Sequence, residues 1–464
     1  MLNYEFENRK KLSKYEFLYR CLRSDILNGK LYEGMKMPSK RELAKANNIS
    51  VKTVMNAYDQ LIMEGYLISK ERSGYYVASN FSHNIRYQNI PFELPAPESF
   101  KDWKADFTSN TIVYEKFPFS TWTKVMQRVF SEYHVSLMKR GDFLGNRELR
   151  VEIAKYLYRN RGMIVSADCI VIGTGIEYLY SKLIRLLPKH SVYAVEDPGY
   201  KKIPLIYDDL DVKWTPLKMD QDGIQMKSLH DSQATIVHTS PEHHYPIGTV
   251  MSAKRRQELL KWLELSKDHY IIEDDYDCEF RYKGHPISAL YGMDQSHRVI
   301  YMNTFSKTLS PAIRISYMVL PEELLEKYIH SANFFSNTSS NLEQYTLAHF
   351  IKDGYFERHL NRMRKCYHAH GEELLDAVTG TPSLLVDAVS AIESGTHLLV
   401  KLDTKLTDTE IKKRAESIGI HLQCLSDFCI KKEPKYKNIL VLNYSIMEQK
   451  MIRKIIEELG CILQ

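Results

Sequence analysis

The chain lacks any CxxC pair, and its seven cysteines lie scattered from Cys21 to Cys461. An odd, dispersed set excludes a disulfide framework and a cysteine-rich zinc site, so the thiols are expected to be reduced and to pack. No uncharged run reaches membrane-spanning length. The first thirty residues carry charges throughout (Glu5, Glu7, Arg9, Lys10, Lys11, Lys14), which removes the apolar core of a secretory signal. A cytoplasmic protein with no membrane partner is expected. Repeats and low-complexity tracts are missing, and 44% hydrophobic with 26% charged residues excludes disorder. At 464 residues one ordinary core is also excluded, and a small domain joined to a large one is expected.

Charge is unevenly spread. Residues 1–80 hold fourteen Lys/Arg against nine Asp/Glu, an excess of five that equals the whole-chain excess of +5. Within this basic part, SKYEFLYRCLRSDILN spaces its apolar residues as a helix does, with Gly29 beyond its end. Ser39 with Glu42 three positions on is a capping box for a short second helix. Ser50 opens a third, VKTVMNAYDQLIMEG, with Val54, Ala57, Tyr58, Leu61 and Ile62 on one face. Two short strands around the basic turn SKERSG follow, which completes a winged-helix layout over 1–79. Residues 80–104 lose periodicity around Pro91, Pro95 and Pro97 and read as a linker.

A helix that reads DNA must present donors to the major groove while basic and hydroxyl groups grip phosphates. Lys52, Thr53 and Asn56 fall on the exposed side of the third helix, with Arg41 on the helix before it and Lys70 and Arg72 in the wing. Any one of these alone is equally an ordinary solvated group. The run from ILNGKLYEGMKMPSKRELA through SVKTV and AYDQLIMEGYL to SGYYV resembles the GntR-type winged-helix domain over its full length. The resemblance implies DNA contacts from Ser39, Arg41, Lys52, Thr53 and the wing. Val51 stands where many members have Arg, so no base preference carries over.

Residues 105–464 alternate strand-like runs (CIVIG, SVYAVE, ATIVHT, YIIEDD, RVIYMN) with helical ones, which implies an α/β fold whose ligands sit at the carboxyl ends of a mainly parallel sheet. At those ends stand Lys307 after RVIYMN, Asp274 and Tyr276 after YIIE, the turn Gly173-Thr174-Gly175 before a helix, and Arg314. An amine for an aldehyde, an acid for a pyridine nitrogen and an anion cradle are what pyridoxal 5'-phosphate requires. Taken one at a time, a solvated lysine, a surface acidic loop, a common connector and a structural salt bridge account for them equally well.

Together with FPFSTW, GDFLGNRELRVEIAKYL, VEDPGY, SPEHHYPIGTVMS and YFERHLNRMRK, these segments resemble the type I aminotransferase fold of the MocR/GabR group, in which that domain follows a GntR-type winged helix. The resemblance implies that Lys307 is the catalytic residue and holds the cofactor aldehyde. It further implies that Asp274 pairs with the ring nitrogen and Tyr276 with the phenolic oxygen, while Tyr200 lies by the ring. Arg314, Ser306, Gly175 and Ile176 would hold the phosphate. Three departures matter. Glu177 follows where small and Gln residues are usual, and repulsion from phosphate is expected to turn it away. His244 replaces a Gln; with His243 but no third ligand beside it, the pair is expected to line the active site and hold no metal. ILVLNYSIMEQ carries no arginine for an amino-acid carboxylate.

These features favour a regulator that binds operator DNA as a homodimer and senses pyridoxal phosphate, or its adduct with a small amine or amino acid. A metabolic aminotransferase with an accessory DNA-binding domain is the alternative, and a vestigial cofactor site a third. The capped recognition helix and the missing arginine weigh against the second, and joint retention of Lys307, Asp274, Tyr276 and Arg314 weighs against the third.

Overall fold

The computed structural model describes residues 2–9, 12–79, 103–109, 112–282, 288–390, 394–445 and 447–463. The chain divides into two units, 1–100 and 101–464. Three serines start the helices of the first. Ser13, Ser39 and Ser50 accept from the amides of Glu16, Glu42 and Thr53, opening α1 (Lys14–Leu27), α2 (Lys40–Ala46) and α3 (Val51–Met63). Each hydroxyl satisfies an amide that helix geometry leaves without a partner. At Ser39 the exchange is reciprocal, because Glu42 Oε2 accepts from Ser39 N at 2.8 Å. Of the α3 face predicted as core, Val54, Ala57, Tyr58 and Leu61 are buried against Leu18, Leu22 and Leu43, and Ile62 at its edge is partly buried. Cutting Leu61 to Ala would cost about 2–5 kcal/mol. β1 (Leu67–Lys70) and β2 (Gly74–Val77) pair antiparallel as the wing.

Of the expected linker, 80–102 lies outside the described residues. Trp103 stacks on His421, and Lys104 N donates to Gly419 O at 2.8 Å, so its last residues pack on the second unit. There β3 (Ala105–Asp106) pairs with a short strand at Ile420–His421. α4 (Phe119–Leu137) and α5 (Arg147–Arg161) follow.

The main sheet has eight strands: β4 (Ile170–Gly173), β5 (Tyr193–Asp197), β6 (Trp214–Asp220), β7 (Gly223–Ile224), β8 (Ile236–Thr239), β9 (Tyr270–Asp274), β10 (Val299–Thr304) and β11 (Ser316–Val319). Their order is β4-β11-β10-β9-β8-β5-β6-β7. The pairs β10/β9, β9/β8, β8/β5 and β5/β6 are parallel, and β11 runs antiparallel between β4 and β10. β4, β8 and β11 are buried throughout, as expected of strands covered on both faces. α6 (Ile176–Leu186) leaves β4 through the glycine turn, and α7 (Lys202–Asp209) follows β5. A second, four-stranded antiparallel sheet (Val386–Val389, His397–Leu402, Ile439–Asn443, Gln423–Cys424) packs against the helices Tyr355–Thr379 and Gln449–Ile462. No described helix is long and apolar enough to cross a membrane.

Candidate functional site

A cavity of about 600 Å³ opens at the carboxyl ends of the parallel strands. Its lining includes Ile176, Tyr200, Asp274, Tyr276, Ser306, Lys307 and Arg314, seven of the side chains expected in the second unit. They arrive from separate strand ends, which is why one sheet brings them together. Asp274 closes β9, Ser306 and Lys307 follow β10, and Arg314 precedes β11.

Lys307 is buried, and burial pulls its amine down to about 8, against the opposing charge of Asp277. Asp274 is fixed by groups outside its own strand: Tyr180 Oη on α6 donates to Oδ2 at 2.6 Å, and His238 Nε2 on β8 stands 3.7 Å from the same oxygen. His238 Nδ1 is in turn 2.7 Å from Tyr207 Oη. The Tyr276 hydroxyl lies 3.3 Å from His243 Nδ1, which is 2.8 Å from Asp277 Oδ2. Burial, then the charge of Asp277, holds Tyr276 well above the ordinary tyrosine value, so its hydroxyl keeps its proton at neutral pH. Tyr200 is half exposed at the mouth, its ring edge-on to Tyr245.

The glycine turn and the β10 end form one corner of the cavity. Gly175 takes φ +83°, and a Cβ there would fall 2.4 Å from Arg314 Nη2, so the guanidinium lies against the bare α-carbon. Thr304 Oγ1 joins Ser306 and Ser316 in a cluster of three hydroxyls, at 3.0 and 2.8 Å.

Two expectations are corrected. Glu177 does not turn away: Oε2 accepts from Arg314 Nη2 at 3.1 Å and Oε1 from Lys202 Nζ at 3.3 Å, and its side chain lines the cavity. Repulsion by phosphate was the expected effect, but attraction to two cations decides the placement. The histidine pair does not line the cavity either. His243 stands behind Tyr276. His244 stands behind Glu196, Nε2 at 3.4 Å from Oε2. Burial, helped by His243, pulls His244 down to about 3, while burial pushes Glu196 up to about 8. Both are thus neutral at pH 7, which lets them lie together in the interior.

Sequence reasoning missed Tyr180, His238, Thr304, Glu196 and Asp277. A histidine inside the apolar run TIVHT was the available signal for His238, since a buried polar group in a strand needs a partner.

In the first unit Arg41, Lys52, Asn56, Lys70 and Arg72 are all exposed. Lys52 and Asn56 lie one turn apart on α3. Ser39 and Thr53 are tied into helix starts, Thr53 Oγ1 lying 2.8 Å from Ser50 Oγ. Lys70 Nζ sits 4.8 Å over the Tyr76 ring, and Arg72 holds φ +58° in the wing turn. Lys36 and Lys40, which sequence reasoning passed over, stand over Tyr76 and Tyr75 and add two cations to this part of the domain.

Residues 104–459 match the family described as aminotransferase class I and II, and residues 14–77 match the bacterial regulatory proteins of the gntR family. YdeL of Bacillus subtilis (strain 168), an uncharacterized HTH-type transcriptional regulator, is 38% identical over 89% of each chain. MocR of Rhizobium meliloti, a "probable rhizopine catabolism regulatory protein", is 29% identical over 95% of this chain and 92% of its own. An archaeal alanine:glyoxylate aminotransferase superposes with a TM-score of 0.69 at 23% identity, covering 77% of this chain and 90% of that one, which establishes the fold. The chain belongs to the MocR-type HTH transcriptional regulators, in which a gntR-family domain precedes an aminotransferase class I and II domain.

Proposed function

We propose that this chain regulates transcription by binding operator DNA through residues 1–79, joined by a linker over 80–104 to a domain over 105–464 that binds pyridoxal 5'-phosphate. It senses the cofactor itself or its adduct with a small amine or amino acid. One observation carries the reading: buried Lys307 shares a cavity with Asp274, Tyr276, Tyr200 and Arg314, in a chain that also holds a gntR-family domain.

The residues present fit the cofactor. Gly175, at φ +83°, takes a backbone conformation that residues with a Cβ rarely adopt and lets the Arg314 guanidinium lie against its α-carbon, and the backbone amide at the start of α6 with that guanidinium forms a suitable phosphate donor set. When bound, the cofactor supplies an aldehyde for amines and an electron-withdrawing ring. Lys307, held near 8, offers a larger neutral fraction at pH 7 than an ordinary lysine and is the group to take the aldehyde. Asp274, steadied by Tyr180, would accept from the ring nitrogen. Tyr276 would donate to the phenolic oxygen, and Tyr200 would lie by the ring. The Ile176 amide, Ser306 and Arg314 would hold the phosphate beside Gly175, whose own amide already donates to Gly173 O at 3.1 Å. Arg41, Lys70, Arg72, Ser39 and Thr53 grip DNA phosphates, and Lys52 and Asn56 read bases. A cytoplasmic homodimer places two winged helices on a paired operator.

The test is a visible spectrum of the purified protein, titrated with candidate amines and repeated with its own promoter DNA. A cofactor band that responds to an amine, with operator affinity changing alongside, is expected. A protein that binds neither cofactor nor its upstream DNA at low salt sinks the proposal.

A further inference from the structure

We infer that the Glu177 carboxylate is a resident anion of the phosphate corner, which a phosphate monoester must displace from Arg314, so that Glu177 keeps binding of the cofactor reversible. The inference rests on the proposed cofactor site. Glu177 takes three kinds of donor that a phosphate takes: the Arg314 guanidinium at 3.1 Å, the Lys202 ammonium at 3.3 Å, and its own backbone N–H at the first turn of α6. Burial pushes its carboxyl up, but that amide, Lys202 and Arg314 outweigh burial and hold it below the usual range, so it is charged throughout the neutral region. The corner therefore already contains one anion against two cations. An incoming dianion meets both the loss of an Arg314 partner and the charge of Glu177.

The contact is exchangeable. The paired side chains are 36% and 48% exposed, and an ion pair so open to water holds weakly. Lys202, on the neighbouring α7, gives the carboxylate somewhere to remain once Arg314 has turned to the phosphate. A site that holds its cofactor for life has no use for such a competitor. A site that reports how much cofactor is present does, because its affinity must stay within reach of the free concentration.

The experiment measures dissociation constants of the full-length protein for pyridoxal 5'-phosphate and for pyridoxal, by absorbance titration, in wild type, Glu177→Gln, Lys202→Met and the double variant. Glu177→Gln is expected to bind the phosphorylated ligand on the order of two- to fivefold more tightly, the range set by one exposed ion pair. Affinity for pyridoxal should not change. Lys202→Met should weaken binding of the phosphorylated ligand in wild type and have little effect beside Glu177→Gln. Unchanged or weaker binding by Glu177→Gln overturns the inference, as does an equal gain for pyridoxal, which places the effect away from the phosphate. A loss from Lys202→Met that persists in the double variant overturns its part as the carboxylate's alternative partner. Wild type that binds cofactor while Glu177→Gln gains nothing refutes this inference alone. Wild type that takes up no cofactor at Lys307 refutes the proposed function and this inference together.

Discussion

Tyr180 Oη donates to Asp274 Oδ2 at 2.6 Å, joining the second turn of α6 to the last residue of β9. A largely buried carboxylate oxygen needs a donor, and His238, at 3.7 Å, is too distant to replace it. Tyr180→Phe is therefore expected to destabilise the domain by about 1–3 kcal/mol. The deficit should shrink when pyridoxal phosphate is bound, since in the proposed pairing its ring nitrogen would bring a proton donor to the same carboxylate. Urea unfolding with and without cofactor measures both. A deficit that is equal in the two states would show that Asp274 does not face the ring nitrogen.

Lys307 gives a pH prediction. Burial lowers its amine to about 8, so the amine is protonated below that pH and neutral above it. Only the neutral amine attacks an aldehyde. The rate of cofactor attachment to the apoprotein should rise about tenfold per pH unit up to about 8 and level off above, whereas an unperturbed lysine would keep climbing to about 10.4. Borohydride reduction and peptide mapping should place the cofactor on Lys307, and Lys307→Ala should lose the visible band. Attachment at another lysine, or a rate still climbing past pH 9, refutes the assignment.

Ser39 separates folding from DNA contact. Its capping box with Glu42 should be worth about 0.5–2 kcal/mol to the winged helix, which Ser39→Ala loses and Ser39→Asp largely keeps. If the same hydroxyl also meets phosphate, Ser39→Asp should fold normally yet bind DNA more weakly through charge repulsion. Arg41→Ala should lower the salt slope by about one across all sequences, while Lys52→Ala or Asn56→Ala should blur operator preference by about 1–3 kcal/mol. Unfolding curves and binding isotherms at several salt concentrations decide. Normal operator binding by Ser39→Asp removes Ser39 from the interface.

The winged helix was legible because its signals are local: Ser39 and Glu42 lie three residues apart, and Gly65, at φ +80°, follows the helix it ends. Lys307 and Asp274 were legible because a strand end is a local feature and the sheet does the converging. Tyr180 and His238 were not, since they approach Asp274 from 94 and 36 residues away and nothing in either local pattern points there. Glu177 was misjudged for a related reason. Its sequence neighbours give a carboxylate beside a phosphate turn, while Lys202 and Arg314, which reverse the electrostatics, arrive from α7 and from the approach to β11.

An aminotransferase acting on ordinary amino acids needs a cation to pair with the substrate carboxylate and align its α-carbon. The strand Ile439–Asn443 offers none, and no arginine stands between Lys437 and Arg453. Among the described cavity-lining residues the cations are Lys201, Lys202, Lys307 and Arg314. Lys202 and Arg314 are paired with Glu177, and Lys307 is assigned to the aldehyde, which leaves Lys201 at the mouth, its ammonium 5.9 Å over the Phe428 ring. A lysine is a point charge, not a planar fork, and sits where a carboxylate stays hydrated. Alanine, glutamate and aspartate should therefore give slow or single half-reactions with a keto acid as acceptor, and Lys201→Ala should weaken whatever spectral response they produce. Brisk multiple turnover with any of the three would move the protein into the enzyme class and require a carboxylate partner from outside this cavity.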